Sequence, residues 1–144
     1  MNLILRTVEK YGFNNKQLTE ADFHRICETE GIRVVEMDVH TSFYLAAAGL
    51  RMIVIRRQLR GAAKLYAQFH ELAHALLGHG RHGTAAFYHG LVSSHEEFEA
   101  DALATIALVP RGALASNDFL DEMPTKFGKR LFRERQRLAF LYGV

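Results

Sequence analysis

His70, Glu71 and His74 lie within "QFHELAHALLGH" (residues 68–79), a stretch otherwise dominated by alanine and leucine. Polar groups buried on such a segment cost free energy unless they are partnered. The three are therefore either satisfied one by one or converge on a common ligand. On an α-helix, residues four apart differ by about 40° around the axis and lie one turn along it. Both imidazoles then project to one side, close enough to grip a single ion. Zn²⁺ accepts imidazole nitrogen well. Glu71 swings to the flank of such a site, outside the coordination shell, where it can reach a water activated by the ion. The H-E-x-x-H spacing thus suits metal-assisted hydrolysis, with His70 and His74 as ligands and Glu71 as general base.

A catalytic zinc site wants three protein ligands and one open position. The downstream stretch "HEEFEAD" offers His95, Glu96, Glu97, Glu99 and Asp101. Glu97 and Asp101 are four apart and share a helix face. Glu97 is expected as the third metal ligand, with Glu99 the competing choice and Glu96 and His95 behind it. Asp101 is expected in an outer role, accepting the free N–H of a liganding histidine and fixing its tautomer. Ala100 and Ala104 near that face would let the two helices approach closely. The longer pattern H-E-x-x-H-x-x-G-x-x-H fails here, because Leu77 and Gly80 stand where glycine and histidine are required. A carboxylate from a second helix is the better third ligand. His79, His82, His89 and His95 are left as loop histidines, or as groups on the substrate side.

The elements that must position these residues follow from periodicity and punctuation. Residues 1–31 read as a helical segment, 32–58 as strands and 60–144 as a helical part carrying the metal site, within one domain. In "LTEADFHRICETEG", Thr19 is an N-cap with Asp22 three positions on, and Gly31 is a stop. Cys27 and His24 in that helix are expected to be a core thiol and a surface histidine rather than a nucleophilic pair. "IRVVEM" is a strand, and "SFYLAAAGLRMIVIRR" a hairpin split at Gly49 with Met52 to Ile55 central in a small sheet. Helical patterning runs from about 61 to 77, followed by a glycine- and histidine-rich loop. Ser94 could cap a second helix through Ser94-x-x-Glu97, a use of Glu97 that competes with metal binding. That helix closes before Pro110. A turn or short helix follows, then an amphipathic helix with Phe127, Leu131, Leu138 and Leu141 on one face.

The chain has 144 residues, 49% hydrophobic and 24% charged, with a net charge of +2. So mild a charge does not imply nucleic acid without a local patch, and the basic residues of the last helix read as a solvated face. One cysteine cannot form an internal disulfide. The apolar run at the N-terminus is too short for a signal peptide. The expectation is a cytoplasmic protein with no membrane span.

"FHELAHALLGH" followed by "EFEADALATIALVP" resembles the ImmA/IrrE family of zinc metallopeptidases, whose signature is H-E-L-x-H-x-L-L-H and then E-x-x-A-[ND]-x-F-A-x-x-L-L-x-P. His70, Glu71 and His74 match the first element; Glu97, Ala100, Asp101, Ala104 and Pro110 match the second. Leu103 stands where an aromatic is usual, and "ALVP" replaces "LLMP". The likeness runs from about residue 32 to the end. It implies an α+β, zincin-like fold, a minimal gluzincin-type domain in which a small twisted sheet packs on zinc-binding helices. It also implies a protein substrate, a transcriptional repressor of the helix-turn-helix type.

In the expected reaction, zinc held by His70, His74 and Glu97 polarises the scissile carbonyl and acidifies water, while Glu71 moves the proton. Tyr88, His89 and His95 are candidate second donors to the developing oxyanion. A substrate strand is expected to add to the sheet edge formed by residues 50 to 56. Two other classes remain open. One is a non-catalytic zinc-bearing domain that binds a repressor or antitoxin partner. The other is a nucleic-acid module using the arginines at 56, 57, 60, 133, 135 and 137. The residues leave the oligomeric state open.

Overall fold

The computed structural model describes residues 2–79, 94–116 and 125–144. Helix α1 spans Asn2–Tyr11 and α2 spans Glu20–Glu30; strands β1 (Arg33–Met37), β2 (Phe43–Ala47) and β3 (Leu50–Arg56) follow. Then come α3 (Gly61–Leu76), α4 (Ser94–Leu108), α5 (Arg111–Ser116) and α6 (Lys126–Tyr142). The fold class is α+β.

Helix α2 starts and stops as its sequence requires. The Thr19 side chain accepts from the Asp22 backbone N–H, the Asp22 carboxylate accepts from the Thr19 N–H, and Gly31 closes the helix at φ 69°. A Thr19→Ala substitution is expected to cost about 1 kcal/mol in denaturant melts at neutral pH. The backbone N–H of Thr19 holds the Asp22 carboxyl below its ordinary value, outweighing burial, with Arg25 adding to the effect. A depressed folded pKa means that the stabilisation is present above about pH 3.9 and is lost as the pH falls through the lower folded value. Thr19→Ala keeps that backbone N–H and loses an uncharged cap bond, so most of its penalty should persist in acid, whereas the penalty of Asp22→Ala should shrink. Cys27 on this helix is buried and its thiol is pushed up to about 12 by burial, which suits a core residue and not a nucleophile.

The sheet has strand order β1-β3-β2. β2 and β3 form an antiparallel hairpin with Ala47 opposite Leu50, and β1 runs parallel to β3 with Arg33 opposite Met52. The hairpin turn places Ala48 at φ 51° and Gly49 at φ 80°, the left-handed pair that a two-residue turn between twisted strands demands. Ile53, Val54 and Ile55 are fully buried in the central strand. Because β3 is paired on both sides, residues 50 to 56 are not the sheet edge expected to receive a substrate strand. Among the described residues the two edges are β1 and β2, and β2 is the one that follows Ser42 in the chain.

Two arginines act as internal braces. Arg51 donates to the Glu30 carbonyl at 3.0 Å and the Ala75 carbonyl at 3.2 Å, so one guanidinium holds the last turns of α2 and α3. Arg135 on α6 is fully buried and donates to the carbonyls of Val109 (2.6 Å) and Val144 (2.7 Å) and to Asn14 Oδ1 (2.9 Å). Burial lowers its pKa to about 10, so it stays charged at neutral pH. This withdraws Arg135 from the arginines that were candidates for nucleic acid. The α6 stripe is also narrower than its pattern suggests. Leu131 and Leu138 are buried and Phe127 half-buried, but Leu141 is 52% exposed, two residues before the Gly143 cap. No helix among the described residues is long and apolar enough to cross a membrane.

Candidate metal centre

Helix α3 is apolar nearly all round because it is covered on more than one side. Every residue from Gln68 to Ala75 is buried. Phe69 faces away from the histidines into an edge-to-face aromatic cluster, with ring centroids 5.8 Å from Phe13 and 5.9 Å from Phe23. Locked from behind by these rings, α3 presents His70 and His74 to α4. Ala100 and Ala104 on α4 are fully buried, and their small side chains let the helices close. The capping use of Glu97 gives way here. Ser94 is itself the first residue of α4, and the Glu97 carboxylate lies against both imidazoles instead.

The three side chains form a compact triangle. His70 Nε2 lies 3.2 Å from His74 Nε2; Glu97 Oε2 is 3.2 Å from His70 Nε2, and Glu97 Oε1 is 3.2 Å from His74 Nε2. Donors held about 2.0–2.1 Å from a common ion at tetrahedral angles lie about 3.3 Å apart, so the spacing fits one. Among the described residues the donor set is two imidazoles and a carboxylate within reach of one ion, three of the four ligands a tetrahedral site takes. Glu97 Oε1 is buried and no hydrogen bond satisfies it, an orphan acceptor that a cation between these atoms would satisfy. Contacts with His70 and then His74 hold the Glu97 carboxyl well below the usual carboxylate range. Burial works against charge on His70, but Asp101 and Glu97 outweigh it and raise its pKa to about 10.

Around the triangle sit groups that act through it. Asp101 Oδ1 is 2.9 Å from His70 Nδ1 and accepts the Tyr66 O–H at 2.7 Å. The structure thus brings Asp101 to the nitrogen that the helix spacing assigned it. Burial opposes charge on Asp101, but His70 and Tyr66 prevail and lower its pKa. Tyr66, one turn before His70 on the same face, was missed; its i, i+4 spacing from His70 was the available signal. His79 departs from expectation altogether. It is no loop histidine but 6% exposed, with its Nδ1 2.9 Å from His74 Nδ1 and its Nε2 3.2 Å from Glu99 Oε1. Burial, followed by the neighbouring His74, lowers its pKa. Glu99, the competing third ligand, faces His79 and is not in the triangle. His95 is exposed, with its Nε2 3.7 Å from Glu99, and is not drawn into the cluster. His82, Tyr88 and His89 lie outside the described residues.

An open cavity of about 270 Å³ reaches the site from the sheet side, with His70, Glu71, Tyr66 and Asp101 on one wall and His40, Ser42 and Arg56 opposite. Glu71 is 3% exposed and lines this cavity beside His70.

Residues 27–140 match the IrrE N-terminal-like domain, a peptidase family. The chain belongs to this ImmA/IrrE family. Membership carries the zincin-like fold and a metallopeptidase type of function, hence a protein substrate. The match spans both α3 and α4, so the histidine pair and the carboxylate helix fall inside the IrrE-like region. No curated protein matches the chain.

Proposed function

We propose that this IrrE-like chain is a zinc endopeptidase that makes a site-specific cut in a helix-turn-helix transcriptional repressor. His70, His74 and Glu97 would hold the metal, and Glu71 would be the catalytic base. The observation that carries the reading is three side chains in mutual 3.2 Å contact, Glu97 through one oxygen to each imidazole, beside a buried glutamate. Zinc bound there would supply Lewis acidity, polarising the scissile carbonyl and making water more acidic. Glu71 takes the proton from the attacking water and hands it to the leaving amine as the C–N bond breaks. Asp101, 2.9 Å from His70 Nδ1 and accepting the Tyr66 O–H, would brace the His70 ring. The β2 edge, entered from Ser42, offers backbone groups to an extended substrate strand. The repressor as target rests on the family resemblance alone.

The test is incubation of the zinc-loaded protein with a purified helix-turn-helix repressor, with mass spectrometry of the products. One defined cut, absent when zinc is chelated, supports the reading. An intact repressor with metal bound favours the non-catalytic interaction domain instead.

Metal uptake has a proton consequence. In the metal-free chain His70 carries a proton with a pKa of about 10, and a liganding imidazole must be neutral. Uptake at pH 7 is therefore expected to release about one proton, and apparent affinity to rise about tenfold per pH unit towards that pKa. Calorimetry in buffers of different ionisation enthalpy counts the proton directly.

A further inference from the structure

Helix α3 ends in a turn that does more than stop it. Gly78 takes φ 75°, its N–H bonds to the Ala75 carbonyl at 3.3 Å, and the His79 N–H reaches back to the His74 carbonyl at 2.9 Å. This pair of bonds is a Schellman motif, in which the residue after the left-handed glycine packs against the residue five positions earlier. That contact is commonly hydrophobic. Here it joins two histidines, one of them in the metal triangle, and it is closed to solvent: the side chains of His74 and His79 are 4% and 6% exposed.

Donor and acceptor bookkeeping leaves one arrangement. His74 turns Nε2 towards His70 and Glu97, so that nitrogen must offer a lone pair to a metal and Nδ1 must carry the hydrogen. At 2.9 Å the facing Nδ1 of His79 must then accept. A neutral His79 with a free Nδ1 has its hydrogen on Nε2, and the group 3.2 Å beyond is the Glu99 carboxylate, which can only accept when ionised. Glu96 at 3.9 Å from His79 Nδ1 and His95 at 3.7 Å from Glu99 are too far to compete.

We infer that His79 and Glu99 are positioning residues for the second metal-binding histidine, forming a directed relay His74 Nδ1–H to His79 Nδ1 and His79 Nε2–H to Glu99. Resting on the metallopeptidase reading above, it gives each imidazole its own support: Asp101 behind His70, and the His79–Glu99 pair behind His74. The Schellman turn supplies the geometry, since only the reversal at Gly78 returns a side chain to the turn that holds His74.

The test is zinc affinity of the full chain, by competition with a chromophoric chelator, beside the thermal midpoint of each metal-free form. His79→Phe keeps the ring volume without its nitrogens and is expected to bind zinc about 10–100-fold more weakly, with a metal-free midpoint lowered because His74 Nδ1 and Glu99 lose their partner. His79→Asn places a carboxamide oxygen where Nδ1 was and should recover most of that loss. In the zinc-loaded wild type, nitrogen-15 correlation spectra of the histidines should show the Nδ1–H form of His74 and the Nε2–H form of His79. That measurement stands even if a variant folds poorly. An Nδ1–H or doubly protonated His79, or undiminished zinc affinity in His79→Phe, overturns the relay alone. A wild type that binds no zinc overturns the relay and the metallopeptidase reading together.

Discussion

A Glu71→Gln protein is expected to keep its zinc and to cleave its substrate about 10²–10⁴-fold more slowly, or not detectably. The substitution preserves shape and most contacts of a side chain that is only 3% exposed, so folding should survive. It removes a carboxylate that lines the cavity beside His70 and can accept a proton from water without itself being a ligand. Because Glu71 is outside the donor set of His70, His74 and Glu97, zinc per chain should stay at the wild-type value. The informative result is the split between the two measurements. Activity lost with zinc retained assigns Glu71 to the proton transfer. Zinc lost as well would make it a ligand or a structural support, and full activity with zinc bound would remove it from the mechanism.

His74→Ala is expected to abolish both zinc uptake and the thermal stabilisation that zinc confers. His74 is 4% exposed and meets three partners at once, His70, Glu97 and His79, so its loss breaks the triangle and its outer support together. Binding that is confined to the folded state stabilises by mass action, about 4 kcal/mol at zinc a thousandfold above the dissociation constant. For a chain of this size that amounts to a rise of about 12–16 °C in the unfolding midpoint. Differential scanning calorimetry with and without zinc should show this rise in the wild type and almost none in His74→Ala. An equal rise in both would place the metal elsewhere. The metal-free variant should unfold below the metal-free wild type, because a buried imidazole is lost and Glu97 and His79 lose a partner, so the zinc-dependent rise is read within each protein.

The nucleic-acid reading weakens on a single residue. Arg135 sits in a row of basic side chains and looks like one more solvated arginine, yet it spends its donors on two carbonyls and an asparagine in the interior. Charge patterning along a helix shows which faces alternate, but not which face another helix will cover. Leu141 errs in the opposite direction for the same reason: it continues the apolar stripe past the point where anything packs on it.

What the residues alone determined is local. Thr19 with Asp22, Gly31, the break at Ala48–Gly49 and the four-residue spacing of His70 and His74 each act within one turn or one hairpin, where steric limits and hydrogen-bond geometry leave few choices. His79 belonged to that class too, since glycine followed by histidine at a helix end is a local signal. Tertiary structure decided the rest. Glu97 and Glu99 are two residues apart and so about 200° apart around α4; only the docking of α4 on α3 determines which carboxylate meets the imidazoles and which meets His79. The parallel pairing of β1 with β3, which makes β3 the central strand and leaves β1 and β2 as the edges among the described residues, is likewise a long-range contact that neither strand encodes by itself.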